Sequence, residues 1–290
     1  MIMANETSSV RTVRRADADV SLLLIAVAFL SFAMLSGCGP DAPGPDETGA
    51  TSTSDAWMSL FNGTDIDDWI VKIRGYDAGD NFANTFRVED GLLKVRYDGY
   101  DNEFNDRFGH LYYRTPFSRY HLIIEYRFVG DYLPDTPDWA RRNSGVMFHA
   151  QDPMTVTRDQ DFPICIEMQF LGGLGDGQSR STANMCSPGS NIVLDGELDT
   201  RHCINSTAET YEGDQWVQIE LIVHGDSLVT HIVEGDTVMQ YGGTVMGGGP
   251  VREFDPAVWE PGRPMESGYL AVQSEGHPLE FRRIELRELR

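Results

Sequence analysis

Positive charge is scarce in this 290-residue chain: 23 Lys and Arg stand against 45 Asp and Glu, for a formal net charge of -22. Such a surface repels phosphate backbones and anionic headgroups, which argues against nucleic acid as a partner and favours neutral ligands such as sugars. Long helical periodicity is also absent, so no crossover helices are expected between strands. The apolar run at residues 20–35 is too short to cross a bilayer comfortably. Cysteines number only four; their spacing matches no standard zinc finger, and no loop has a regular calcium-binding spacing. What is present is 41% hydrophobic and 10% aromatic residues, enough for one substantial core and hence one folded domain.

The short apolar run follows Arg11, Arg14 and Arg15 and ends in Leu35-Ser36-Gly37-Cys38, which resembles a bacterial lipobox. That resemblance implies cleavage before Cys38 and acylation of its thiol, with several acyl chains giving a stable membrane anchor. Residues 1–37 then form a lipoprotein signal peptide and residues 38–55 a flexible acidic tether rich in Pro, Gly and Ser. Residues 56–290 form the folded domain. The expected location is the bacterial cell envelope, lipid-anchored and either periplasmic or surface-exposed.

From Trp57 onward the chain reads as short alternating strands separated by turn signals, as in Phe86-Arg87-Val88, then Glu89-Asp90-Gly91, then residues 92–97. Further strands are expected at residues 120–129, 144–149, 163–171, 216–224, 228–233, 237–241, 268–274 and 279–289. So many antiparallel strands imply an all-β sandwich of two antiparallel sheets, and their number suits a jelly roll better than an immunoglobulin sandwich. Cys186 and Cys203 bracket a Gly-, Ser- and Asp-rich loop, and with export to an oxidising compartment a disulfide is expected between them. His202 beside Cys203 raises a Cys/His zinc site as the competing reading. Cys165, inside an apolar strand, reads as a small packed group.

Two strands carry the chemistry. In Ile164-Cys165-Ile166-Glu167-Met168-Gln169-Phe170, period-two alternation puts Glu167 and Gln169 on one face and the apolar residues on the other. The polar row is expected to face a wet cleft. A carboxylate in so apolar a strand needs a partner, a metal or water, which marks Glu167 as functional. The strand at residues 145–149 ends in His149; Glu125 and Arg127 share a face of another strand, either in the site or as half of a cross-strand charge ladder. His224 and His231 flank a hairpin and read as structural.

Leu60-Phe61-Asn62-Gly63 with Trp69, Asn143-Ser144-Gly145-Val146, Ile166-Glu167-Met168-Gln169 and the ending Gly268-Tyr269-Leu270-Ala271-Val272-Gln273 with Phe281-Arg282-Arg283-Ile284 together resemble the 3-keto-disaccharide hydrolase family, also described as 3-keto-glucoside 1,2-lyase/hydratase. The resemblance implies a concanavalin A-like jelly roll acting on glycosides that a separate sugar 3-dehydrogenase has oxidised at C3. The sequence departs from it at Gln273-Ser274-Glu275-Gly276-His277, where many relatives carry a shorter Gln-X-His-Gly-like turn, so Glu275 or His277 takes on a role there. The segment 172–202 also looks longer than a minimal family core and is expected to cap a cleft edge.

A ketone at C3 acidifies the hydrogen on C2, so a base can remove it and the group on C1 leaves by elimination; water can then add back. The route needs one base, an electrophilic contact on the C3 oxygen and a proton donor. Strand parity nominates Glu167 as base, Arg127 or a bound divalent cation as the electrophile and His149 as donor. Asn143, Gln169 and Gln273 are expected to orient hydroxyls, with Glu125 and Glu275 as further substrate contacts. No cofactor is assigned. The alternative function is a carbohydrate-binding lipoprotein without turnover; an endoglucanase is disfavoured because no strand carries Glu-X-Asp-X-X-Glu.

Overall fold

The computed structural model describes residues 56–249 and 251–290. The signal segment, Cys38 and the tether lie outside the described residues. Seventeen strands follow one another along them: β1 (Met58–Ser59), β2 (Trp69–Ile73), β3 (Phe86–Glu89), β4 (Leu92–Val95), β5 (Gly109–Tyr113), β6 (Arg119–Phe128), β7 (Asn143–Ala150), β8 (Ile166–Leu171), β9 (Asn184–Cys186), β10 (Ser190–Leu194), β11 (Glu197–Asp199), β12 (Cys203–Ile204), β13 (Val217–His224), β14 (Val229–Val233), β15 (Asp236–Met246), β16 (Tyr269–Ser274) and β17 (Leu279–Glu288). Among the described residues the only helical pieces are short 3-10 turns.

The strands form two antiparallel sheets, one of seven in the order β12-β9-β8-β7-β16-β5-β2 and one of ten in the order β11-β10-β15-β14-β13-β6-β17-β4-β3 with β1 against β17. This is an all-β jelly-roll sandwich. Val146, Phe148, Ile166, Met168 and Val272 from the first sheet meet Leu122, Ile124, Ile219, Leu221 and Phe281 from the second in one core. Tyr126 and Phe170 stack across the gap with ring centroids 4.3 Å apart, and the Tyr126 hydroxyl shares a hydrogen bond of 2.7 Å with Thr182. Every aromatic or aliphatic side chain so covered adds about 1.5–3 kcal/mol of burial.

The two sheets differ in what covers their outer faces. In β13 buried and half-buried residues alternate strictly, as in a strand with one face on a core and one near water. All eight residues of β7 are buried. Connecting segments cover the outer face of the seven-stranded sheet, where Tyr112, Met147, Ala150, Cys165 and Ala271 form a second, smaller apolar cluster. The segment 157–164 is tied down there by Lys72, whose Nζ donates to the Arg158 carbonyl at 3.1 Å, and by Arg252, whose Nε meets Asp161 at 2.7 Å.

Several strands escaped the periodicity reading. β2 and β5 were not expected, and the supposed loop at 172–202 contains β9, β10 and β11. β9, β10 and β11 are only three to five residues long, too short for alternation to show, and pairing with neighbouring strands makes them strands.

Candidate active site

Register across the central strands lays Cys186, Glu167, Met147 and Ala271 side by side in one transverse row, with Asn184, Gln169 and Gly145 in the next. Both rows belong to the outer face, since the alternate residues Ile166, Met168 and Phe170 enter the main core. Over the rows opens a cavity of about 400 Å3 lined by Asn143, Glu167, Gln169 and Glu275 from the strands and their ends. Trp139 and Phe162 form aromatic walls, and the Cys186–Cys203 disulfide with Pro188 forms another. Trp139 is 53% exposed, a flat apolar surface that a sugar ring can cover.

The floor is acidic and buried. Glu167 is 6% exposed and has no hydrogen-bond partner among the described residues; burial pushes its carboxyl up to about 8. Glu275 is held well above the usual carboxylate range by burial and by the neighbouring charge of Glu167, with Arg180 opposing. Two carboxyls in such proximity do not both ionise readily, so the pair retains a proton. Gln273, beneath them on β16, donates from Nε2 to Glu275 Oε1 at 2.9 Å, leaving Oε2 without a partner.

The amides are oriented as well. Gln169 Oε1 accepts from Asn184 Nδ2 at 3.1 Å, which turns the Gln169 NH2 away from Asn184. Asn143 Nδ2 donates to the Trp139 carbonyl at 3.3 Å, and its Oδ1 is buried and unpartnered. Arg180 ties the surrounding chain together by donating to the carbonyls of Arg142 at 3.0 Å, Gly172 at 2.6 Å and Trp139 at 3.4 Å. Among the described residues no three His, Cys, Asp or Glu side chains gather into a metal-holding set. Oxygens of Glu167, Glu275 and Asn143 are the donors a divalent cation would meet.

Of the residues singled out in the sequence, Glu167, Gln169, Asn143 and Glu275 line this cavity together. Gln273 does not reach it and instead holds Glu275 from below. Arg127 and Glu125 are corrected: both sit on the outer face of the ten-stranded sheet, with the sandwich between them and Glu167. Arg127 is ion-paired with Glu280 at 2.6 Å and stacks on Trp216, and Glu125 is paired with Arg282 and Arg283, so the charge-ladder reading describes them.

His149 is corrected too. β7 carries one extra residue where Met147 pairs with Ala271 and Ala150 with Tyr269, and His149 takes a φ of 47° at this bulge. The bulge breaks the alternation, so Ala150 joins the outer apolar cluster while the His149 side chain turns toward Gly225 and donates from Nε2 to its carbonyl at 3.0 Å. It borders a different cavity, of about 590 Å3, with Asp152, Arg263 and Tyr269.

The Cys186–Cys203 disulfide is present, linking residues directly opposite on β9 and β12, which removes the thiolate that a zinc site at His202 requires. Cys165 is a buried free thiol, and His231 is a satisfied core residue between the Ala183 carbonyl and the Tyr241 hydroxyl, each at 2.9 Å. The periodicity reading missed Trp139, Phe162 and Arg180, which lie on connecting segments; an aromatic residue in an otherwise polar stretch, as in Asp138-Trp139, was the available signal.

Fold and cavity together define a jelly-roll protein with an acidic, aromatic-walled pocket of sugar size. The chain belongs to the family of the 3-keto-alpha-glucoside-1,2-lyase-like domain, which it matches over residues 56–287. No curated protein matches the sequence significantly. Among solved structures, similar ones include a protein of Parabacteroides distasonis ATCC 8503 provisionally named a glycosyl hydrolase, at 16% identity over 81% of this chain and 100% of that one, TM-score 0.49. A Bacillus subtilis protein of unknown function with a galectin-like fold aligns at 10% identity over 80% and 94%, TM-score 0.47. The carbohydrate-binding module CBM66 of Bacillus subtilis aligns at 9% identity over 80% and 96%, TM-score 0.39.

Proposed function

We propose that this protein cleaves 3-keto-glycosides by elimination across C1 and C2, with water adding back to complete a net hydrolysis. The observation that carries the reading is the buried pair of Glu167 and Glu275 on the floor of a sugar-sized cavity. Glu167 as carboxylate takes the C2 proton. The electrons form the C1–C2 double bond and expel the C1 oxygen, which receives the proton held by Glu275. Gln169, its Oε1 engaged by Asn184, turns its NH2 to the C3 oxygen, where charge builds as the proton leaves. Asn143 holds a hydroxyl through Oδ1, and Trp139 and Phe162 flank the ring.

This scheme replaces the donor and electrophile expected from parity while keeping the base. It uses the environment of the carboxyls: burial that makes a carboxylate costly also makes it a stronger base, and keeps its neighbour protonated as an acid. The substrate comes from a sugar 3-dehydrogenase, because the ketone must be in place before C2 is acidic enough.

Glu167→Gln tests the reading. Release of the leaving group from a 3-keto-glucoside should fall by about 10²- to 10⁴-fold, the usual worth of a general base, while affinity for an unreactive sugar is kept. Undiminished turnover would sink the elimination scheme and favour the lectin-like alternative. The same proposal locates the enzyme at the bacterial cell envelope through a lipid on Cys38. Radiolabelled palmitate should enter the wild-type chain and not Cys38→Ala; equal labelling of both would remove the anchor.

A further inference from the structure

The cavity of about 590 Å3 beside His149 lies at the other end of the central strands from the acidic pocket, and the two share no lining residue among those described. On β7, Asn143 borders one and His149 the other, roughly 20 Å apart at the rise of an extended strand. The walls are tied down. Gly268 and Phe117 exchange backbone hydrogen bonds of 3.0 and 2.9 Å, and Met246 donates to the Arg263 carbonyl at 2.8 Å, which secures both ends of the segment 263–268. Gly268 packs so closely on the β7 bulge that a Cβ there would stand 2.3 Å from the His149 carbonyl carbon, so the histidine is held in place. A cavity of this size in a fixed frame is suited to a small molecule.

Its free polar groups are mostly acceptors. His149 is 3% exposed; its Nε2 is occupied by the Gly225 carbonyl, and its Nδ1 is buried with no partner among the described residues. Burial, outweighing the bond to Gly225, pulls this imidazole down to about 4, so at neutral pH the ring is uncharged and Nδ1 is a bare lone pair. A buried acceptor normally finds a donor. The carboxylates of Asp152 and Glu266 enter no ion pair among the described residues, whereas Arg263, the cation in this wall, is matched by Glu260 at 3.5 Å. The Gln151 amide is already engaged, by the Thr155 carbonyl on one side and Gln160 on the other. Burial and then the charge of Asp152 raise the Tyr269 hydroxyl, which makes that carboxylate a neighbour of the Tyr269 ring. A neutral polyol here would leave both carboxylates uncompensated. An ammonium group supplies N–H donors and the opposite charge together, and an aromatic face favours it further. The His, Cys, Asp and Glu side chains here do not form a metal-holding set.

We infer that this cavity binds a small organic ammonium ion, carried by an aminosugar or an aliphatic amine, whose donors meet His149 Nδ1 and the carboxylates of Asp152 and Glu266 beside the Tyr269 ring. The site stands apart from the chemistry proposed for Glu167.

Calorimetric titration with glucosamine, glucose and cadaverine tests it, at about pH 6, where the amines are charged and His149 is not. Glucosamine, which differs from glucose by an ammonium in place of one hydroxyl, should bind at least about tenfold more tightly. Tighter binding of glucosamine than of cadaverine supports an aminosugar as the source, and the reverse order supports an aliphatic amine. Asp152→Asn keeps the oxygen that accepts from the Met154 amide, and Glu266 is exposed, so Asp152→Asn and Glu266→Gln should both fold. Each should weaken amine binding about fivefold. His149→Ala should weaken it about tenfold, with partial recovery in His149→Asn, whose amide oxygen can stand where Nδ1 does and whose residue type tolerates the positive φ. Glu167→Gln, in the other pocket, should leave amine affinity within about twofold of wild type. The site is overturned by the absence of amine binding in the wild type, by glucose binding as tightly as glucosamine, by amine affinity within about twofold of wild type in both Asp152→Asn and Glu266→Gln, or by its loss in Glu167→Gln.

Discussion

The Glu167 carboxyl rests on the backbone of Gly145 across the β7–β8 pair, so closely that a Cβ at position 145 would stand 2.5 Å from Oε1 and 2.9 Å from Cγ. Gly145 thus makes room for the side chain on which the proposed chemistry depends. Its φ is not in the left-handed region, so the requirement is one of space and not of backbone conformation.

Gly145→Ala should therefore fold and yet lose about 10- to 100-fold in kcat, because a catalytic group displaced by about 1 Å loses that much. Steady-state kinetics beside a thermal melt would check it. Retained kcat in a folded variant would mean that the carboxyl need not lie where it does.

Activity should depend on pH through the same residue. With Glu167 pushed up to about 8 by burial, kcat/KM is expected to rise about tenfold per unit below that value and to level above it. The folded protein also holds a proton that the unfolded chain releases at an ordinary carboxyl's pKa of about 4.5, so this residue's contribution to stability is full below about 4.5 and is lost as pH rises to about 8. Urea midpoints at pH 5 and pH 8.5 should show Glu167→Gln gaining on the wild type at the higher pH. An unchanged difference would mean that the carboxyl titrates normally.

Arg127→Ala should leave turnover within about twofold of wild type, because Arg127 pairs with Glu280 behind the ten-stranded sheet. The pair with its stacking on Trp216 is half-buried, and its loss is expected to cost about 1 kcal/mol of stability, read by denaturant titration. A drop in kcat beyond about tenfold would return this guanidinium to the mechanism.

How far the site was legible follows from what periodicity encodes. Alternation in β8 specified the face that Glu167 and Gln169 share, and the structure has them there. Alternation is silent on which sheet a strand joins, so Arg127 and Glu167, each on the polar face of its own strand, end on opposite sides of the sandwich. It also assumes an unbroken pleat, and the extra residue in β7 defeats it at His149 while leaving Asn143 and Gly145 in phase. Trp139 and Phe162 reach the pocket, and Arg180 ties down the chain around it, on connecting segments whose course depends on contacts distant in sequence, such as Asp161 with Arg252. The disulfide was readable because two cysteines flanked a stretch too polar to hold itself in place.

That bridge has a consequence for how the molecule matures. β12 is two residues long and borders the seven-stranded sheet only through β9, so the crosslink is what pins this margin beside the acidic floor. A newly made chain whose thiols are still reduced carries every reactive group and lacks one firm side of the vessel. Closure of this side of the pocket therefore waits on oxidation of the two thiols, which oxidising compartments favour.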